Sequence, residues 1–519
     1  MKNIIKIMLL FVAAMGMNSC TEEKILDLKP INNILDPDAF TTPTLIESYM
    51  NGVYNAAAIG QYNAAPTSPN SGRGYVWGAA FVEQGEARGE DIVNMATFYE
   101  LTYKATYDPT TANNVYYWVD GYRLINRCNL MIEGVTGAVA KGVITKATGD
   151  NYIGQAKFLR AITHLELLTY FARPYNFTAG ATHPGIPYRE VGVNTNEEIA
   201  SEIAKPRNTV ADCYEKILTD LNAAEATLPA TKTLNKASKW AAIAFKTRLY
   251  LQKRDWENVI AEGNKLKGIY TLTADPYGPF GTTSLSNTES IFSITHSSTI
   301  NPGVNASLPS VLKNRALVCI SPILWRDPQW LADDKRREEG KFIYTALGIK
   351  YTNKYPEVTK QDDPAPVIRY AEVVLNMAEA EARLSNLPGA LTLLNSVRDR
   401  ALANKAAQSY TATSFTTDAD MVAAILKERR IEFLQEGRRW TDIHRLQGDP
   451  IAAVATDGIP AKYASGAPPA KEAFILGNDF VVKKEVAAIP GSDYRFLWPI
   501  PQMEINTNPG IDQNAGWAK

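Results

Sequence analysis

The chain has little of what metal, nucleophilic or cofactor chemistry draws on. Of its 519 residues only 4 are histidine and 4 are cysteine. His164, His183, His296 and His444 are scattered and have no metal-ligand spacing, and His444, behind a charged helix end, reads as a surface or capping residue. Cys128, Cys213 and Cys319 lie far apart, and none belongs to a C-x-x-C pair. That argues against a disulfide framework or zinc site and makes them small buried hydrophobes. The phosphate loop G-x-x-x-x-G-K-[ST], the G-x-S-x-G turn and the H-E-x-x-H helix are absent. The acidic pairs Asp333–Asp334 and Asp362–Asp363 are sequence neighbours, which does not define the separation a glycosidase needs, and they read as caps of turns or helices. With 54 basic and 55 acidic residues the net charge is −1, so there is no basic field for nucleic acid. Beyond the N-terminus no apolar run approaches membrane-spanning length. No metal, cofactor or catalytic residue is expected.

What is present begins at the N-terminus. Lys2 and Lys6 precede an apolar stretch from Ile4 to Ala14, and Gly16-Met17-Asn18-Ser19 leads to Cys20. Residues 1–19 read as a secretory signal, too short to remain as a membrane span. The setting of Cys20 resembles a bacterial lipobox, in which the thiol is acylated and becomes the new N-terminus. The acidic pair behind it, in Thr21-Glu22-Glu23, resembles the signal that sends Bacteroidetes lipoproteins to the outer face of the outer membrane. The alternative is an ordinary signal peptide that happens to end beside a cysteine. One acyl chain holds a protein only marginally, so a stable anchor needs more than one. Membrane contact is expected through this anchor alone.

Helical periodicity recurs along the chain: Trp118–Val135, Tyr152–Phe171, Arg207–Leu228, Ala237–Leu251, Trp256–Leu266, Val367–Leu384, Ala390–Ala401 and Met421–Trp440. Tyr152–Phe171 is apolar on most sides and so is expected between other helices. Gln61–Gly89, rich in Gly, Pro, Ser and Asn, and Thr271–Pro366, rich in aromatics and prolines, are poor stretches for helix. Loops this long are usually functional or irregularly structured. Two helix pairs, Ala241–Leu266 and Ala371–Val397, have small residues in the first helix and a short turn before the second. They resemble tetratricopeptide repeats, in which stacked hairpins bury a continuous core. The fold class expected is mainly α: helical-hairpin repeats with long loops and a few short strands.

The C-terminal half carries Ile368-Arg369-Tyr370-Ala371-Glu372, Leu394-Asn395-Ser396-Val397-Arg398, Lys427-Glu428-Arg429-Arg430-Ile431-Glu432-Phe433, Glu436-Gly437-Arg438-Arg439-Trp440 and Trp498-Pro499-Ile500-Pro501. The N-terminal half adds Phe158-Leu159-Arg160-Ala161 and Gly185-Ile186-Pro187. In this order, behind a lipobox, these motifs resemble the SusD/RagB family of outer-membrane nutrient-binding lipoproteins. The division that follows is a signal at 1–19, a lipidated tether at 20–45, an N-terminal SusD-like helical region at 46–270 and a C-terminal RagB/SusD region at 271–519, with 20–519 as one compact body. The resemblance implies capture of a glycan or oligosaccharide at the cell surface and its transfer to a SusC-type TonB-dependent transporter. Family members of RagB type that take up peptides give the first alternative. A surface glycosidase and a purely structural repeat protein are the others.

Two sets of residues stand out. On the expected 421–440 helix, Arg429, Glu432, Glu436 and Arg439 recur at i+3 or i+4, which reads as a partly buried structural ion network. For the ligand, a Trp or Tyr platform covers a sugar's C–H face while Asn, Asp, Glu or Arg bond its hydroxyls. The resemblance implies a shallow surface made by loops outside the repeats. Tyr75, Trp77, Asn94 and Tyr99 form one candidate set. Trp325 and Arg326, in a stretch that spans Tyr277, Phe280 and Trp330, form the other.

Overall fold

The computed structural model describes residues 36–60, 72–451 and 455–518. The signal, Cys20 and the first part of the tether lie outside the described residues. Helix dominates, as the periodicity predicts. Helix α1 (Pro43–Ala58) starts on Thr42, whose hydroxyl accepts from Leu45 N, with Pro43 in the first turn where its missing N–H costs nothing. A short helix α2 (Ala79–Ala87) follows, then α3 (Ala112–Ala140) and α4 (Lys146–Phe171), which pack on each other, with α5 (Val210–Thr227) against α4. Every residue of α4 from Phe158 to Phe171 is buried, as its all-round apolar pattern requires.

Two short-turn hairpins come next. Helices α6 (Lys239–Lys253) and α7 (Trp256–Asn264) are joined through Arg254 at φ 62° and by Asp255, which caps α7. Helices α8 (Tyr370–Arg383) and α9 (Leu387–Arg398) are joined through Ser385 at φ 62° and Asn386, which caps α9. A left-handed residue followed by an Asx cap reverses the chain in few residues. Small residues then let the hairpins stack: a Cβ on Gly263 of α7 would lie 2.3 Å from Met377 Sδ of α8. Ala371, Leu375, Ala378, Leu394, Val422 and Ile425 close a core shared by α8, α9 and α10 (Asp418–Glu432).

Strands are few and short. β1 (Ile92–Asn94) pairs antiparallel with β3 (Val318–Ile320). β2 (Ser290–Ile294) pairs with β6 (Ala365–Arg369) through a bulged register. β4 (Ile343–Ala346) and β5 (Ile349–Thr352) form a hairpin whose two turn residues, Leu347 and Gly348, both have positive φ.

Three expectations are corrected. The Gly-rich stretch 61–89 contains α2, which is buried along its whole length. The 421–440 helix is broken after Glu432 and resumes as α11 (Arg439–Arg445), because Gln435 and Gly437 take φ 59° and 76°. His444, expected at the surface or as a cap, is buried in α11 and its Nε2 lies 2.8 Å from the Ala172 carbonyl. Cys128, Cys213 and Cys319 are buried free thiols.

Candidate functional site

The aromatic residues singled out in the sequence lie mostly in the core. Tyr75, Trp77 and Tyr99 are buried completely or nearly so. The Tyr75 hydroxyl donates to Asn113 Oδ1 at 3.2 Å. The Trp77 indole donates to Thr163 Oγ1 at 3.2 Å, and its ring packs on Phe81 and Phe245. Asn94 is buried and donates to the Ala96 carbonyl at 2.7 Å. These four side chains present no face to a ligand, which corrects the platform expected from them. The glycines around them explain why: a Cβ on Gly74 would lie 2.7 Å from Gly78 Cα, and one on Gly72 would collide with the Ile59 carbonyl. The small residues mark chain threaded tightly through the interior rather than a surface loop.

Trp325 and Arg326 have a structural task. The Trp325 indole donates to the Phe474 carbonyl at 3.0 Å, and its buried ring meets Trp330 and the Arg337 guanidinium. Arg326 donates to the carbonyls of Ile475 and Asn478, both at 2.7 Å. Together they hold the 473–478 segment rather than an open platform.

The charged motif is buried, as its Arg-rich pattern suggests, but its partners are not one another. Arg429 pairs with Asp442 at 3.0 Å and donates to Asn376 Oδ1 at 2.7 Å. Glu432 sits among Arg369, Arg336 and Arg400, at 2.7, 2.9 and 2.5 Å. Glu436 pairs with Lys354 at 2.6 Å and Arg369 at 2.9 Å. Arg439 reaches Glu90 at 2.7 Å. The i+4 reading fails because the helix ends at Glu432. Burial opposes charge on the Glu432 carboxyl, yet Arg400, Arg369 and Arg336 outweigh it and hold its pKa well below the usual carboxylate range. Such a network fastens β6, α8, α10 and α11 together and has no open position for a substrate.

The surface beside the first candidate segment carries no motif of its own in the sequence. Met95 N donates to the Leu317 carbonyl at 2.9 Å, carrying the β1–β3 pairing one residue further. Just beyond lies Phe98, a half-buried ring with the Arg73 guanidinium 5.0 Å from its centroid. Asn113 fixes the Phe98 carbonyl at 2.8 Å. Arg73 donates to the Asn305 carbonyl at 3.3 Å, and the exposed Arg315 donates to Asn305 Oδ1 at 3.2 Å. Gly466 N joins from another loop by donating to the Asn94 carbonyl at 2.9 Å. Segments 73, 95–98, 305, 315–317 and 466 thus converge at one end of the ladder. They bring together one aromatic ring, two guanidiniums and an exposed amide. Its only sequence signal was proximity to Tyr99: Phe98 points outward where its neighbour points in.

A cleft of about 340 Å³ lies over α3, between Tyr122 and Ile199. Its polar groups are engaged within the protein: Tyr122 with the Pro187 carbonyl, Asn126 with Val193, and Asn129 with the carbonyls of Arg189 and Val191. Among the described residues no group of three or more His, Cys, Asp or Glu side chains gathers as a metal site. No helix among them is long and apolar enough to cross a membrane.

Comparison with known proteins gives consistent matches. Residues 24–251 match a family model described as starch-binding associating with outer membrane, and residues 331–517 match the SusD family model. A SusD-like protein of Bacteroides ovatus is 20% identical over 254 residues; that match takes in 49% of this chain and only 40% of the relative's length. SusD-like protein P38 of Formosa agariphila is 23% identical over 517 residues, 86% of this chain and 91% of that one. The crystal structure of a SusD superfamily protein from Bacteroides fragilis superposes with a TM-score of 0.73 at 26% identity, covering 92% of this chain and all of the other.

Proposed function

We propose that this chain, which belongs to the SusD/RagB family, captures a glycan at the outer face of the outer membrane and delivers it to a SusC-type TonB-dependent transporter. Acylated Cys20 is its anchor in this reading. The observation that carries the reading is the surface built on Phe98, Arg73, Asn305 and Arg315. In this reading the part of the half-buried Phe98 ring that the Arg73 guanidinium leaves uncovered meets the C–H face of a sugar, and the guanidinium and amide donors around it bond the hydroxyl edge. Asn113 holds the Phe98 backbone carbonyl, which fixes where the ring leaves the main chain before ligand arrives. Binding and hand-over need no bond to be made or broken, so no acid–base pair is called for. The starch-binding description of the matching family model supports a sugar over other nutrients.

The test is calorimetry and affinity electrophoresis of the purified full-length protein against polysaccharides and peptides. Wild type binds a glycan, and Phe98→Ala and Asn305→Ala each lose that binding while melting normally. Binding confined to peptides would replace the sugar by a peptide. Turnover of the polysaccharide would make the protein an enzyme. Co-purification with a transporter barrel checks the partnership.

A further inference from the structure

The Phe98 surface carries an unbalanced charge. Asn305 ties its two cations together: Arg73 donates to the Asn305 carbonyl at 3.3 Å, and Arg315 donates to Asn305 Oδ1 at 3.2 Å. Two guanidiniums are thereby held within reach of one exposed residue. Both oxygens of Asn305 are then engaged, and its amide nitrogen is left to donate outward. What Arg73, Arg315 and Asn305 offer a ligand is therefore a set of donors.

No carboxylate offsets these cations. The chain as a whole is balanced, with 54 basic and 55 acidic residues. Yet residues 48–82, 92–99, 290–326 and 458–471, which supply every segment converging on this surface, contain no Asp or Glu. Arg315 makes no ion pair among the described residues. Glu100, just past Tyr99, is already paired with Lys104. Glu83 of α2 acts on the same buried Tyr99 hydroxyl as Arg73 and Arg315. Neither of its oxygens has a hydrogen bond among the described residues. Burial first, then Glu86, raises its pKa well above the usual carboxylate range. Glu83 therefore holds its proton and cancels neither guanidinium.

A neutral sugar gains nothing from a net positive field, and its hydroxyls need acceptors as well as donors. A sulfate ester or a carboxylate accepts only, carries the missing charge and matches the planar fork of an arginine. We propose that the glycan captured at the Phe98 surface is anionic, a polysaccharide whose sulfate ester or carboxylate is bound by Arg73 and Arg315. The inference rests on the glycan reading above and names its substrate class. Because Arg315 is exposed, added salt screens the contact; the Debye length is about 8 Å at physiological ionic strength and shortens as salt rises.

The experiment tests the full-length protein by affinity electrophoresis and calorimetry against pairs of polymers matched in backbone and different in charge. The pairs are dextran sulfate with dextran, and polygalacturonate with its methyl ester; amylose and laminarin extend the neutral set. The expected result is an acidic member bound about tenfold or more tighter than its neutral counterpart, with affinity falling as NaCl is added. The member that binds tells sulfate from carboxylate. Arg315→Gln then lowers that affinity about tenfold with an unchanged melting temperature, and Arg315→Lys recovers part of it. Equal affinity within both pairs, or binding confined to neutral polysaccharides, overturns the anionic assignment and leaves the glycan reading standing. Acidic binding that survives both Arg315→Gln and Arg73→Gln overturns it as well, by placing the polyanion elsewhere. Absence of binding to every polysaccharide, or polyphosphate bound as tightly as the acidic glycan, overturns both readings.

Discussion

Gly85 of α2 and Gly437 of the α10–α11 turn meet backbone to backbone: a Cβ on Gly85 would lie 2.5 Å from the Gly437 carbonyl oxygen. The contact joins N-terminal and C-terminal segments at a point where neither chain has room for a side chain. Gly437 is further constrained by φ 76° and donates its N–H to Glu86 Oε1 at 2.9 Å. Gly85→Ala is expected to destabilise the fold by about 1–3 kcal/mol through overpacking. Gly437→Ala is expected to do at least as much, since the left-handed backbone adds strain. Urea denaturation of both variants is the check, and unchanged midpoints would refute the close approach.

The buried ion network gives a second expectation. Glu432→Ala leaves Arg369, Arg336 and Arg400 facing one another with part of their counter-charge gone. Breaking a buried pair by removing one partner costs about 3–5 kcal/mol, because the surviving charge stays buried. The melting temperature should therefore fall sharply, whereas Glu381→Ala, on a partly exposed position of α8, should leave it nearly unchanged.

The helices were legible because their apolar stripes repeat at 3.6 residues and their turns carry Asn, Asp and Pro at capping positions. The burial of the Arg/Glu motif was legible too, since Arg429 sits beside Ile425 and Phe433. Its pairing was not, because Glu432, Arg336 and Arg369 come from three distant segments. Nor could the sequence separate Trp77 from Phe98. Both are aromatic residues with an aromatic or polar neighbour and no helical stripe of their own, and only packing turns one inward to Thr163 and the other outward beneath Arg73.

That difference is testable by a pair of substitutions. Trp77→Ala removes a fully buried indole and should cost about 3–5 kcal/mol, together with the bond to Thr163. Phe98→Ala removes a half-buried ring and should cost far less stability while abolishing glycan binding. A Trp77 variant that melts normally and loses binding would restore the ring to the ligand surface.

The stability of the protein should depend on pH through two opposed groups. Glu86 is buried beside Asp91, and burial first, then that neighbouring charge, pushes its pKa up from 4.5 to about 8. The folded chain thus holds this proton more tightly than the unfolded one. The stability it contributes is full below the unfolded pKa and is lost as pH rises from about 4.5 to about 8. Glu379 runs the other way. Burial opposes its charge, but Arg445 and Arg383 outweigh it and lower the pKa to about 2. Its contribution is present above about 4.5 and disappears as pH falls toward about 2. Glu86→Gln should raise the melting temperature at pH 8 and change it little at pH 4. An equal shift at both would show that the proton on Glu86 is not the cause.

Arg326 gives a prediction about local rather than global stability. Its fork donates to the carbonyls of Ile475 and Asn478, and Phe480 lies 5.8 Å from the guanidinium carbon. The chain flanking that segment carries Lys471, Lys483 and Lys484, all sites for trypsin. A hydrogen bond to a charged group contributes about 1.5–3 kcal/mol, so Arg326→Ala should raise the open population of this segment by tenfold or more. When opening is fast relative to cleavage, the proteolysis rate follows that population. Trypsin should therefore cut the variant after Lys483 or Lys484 at least about tenfold faster, with the global melting temperature almost unchanged. Arg326→Lys should behave like alanine rather than arginine, because an ammonium cannot reach two carbonyls in the geometry of a planar fork. Equal cleavage rates in all three proteins would mean that Trp325 and the Phe474 carbonyl hold the segment without the guanidinium.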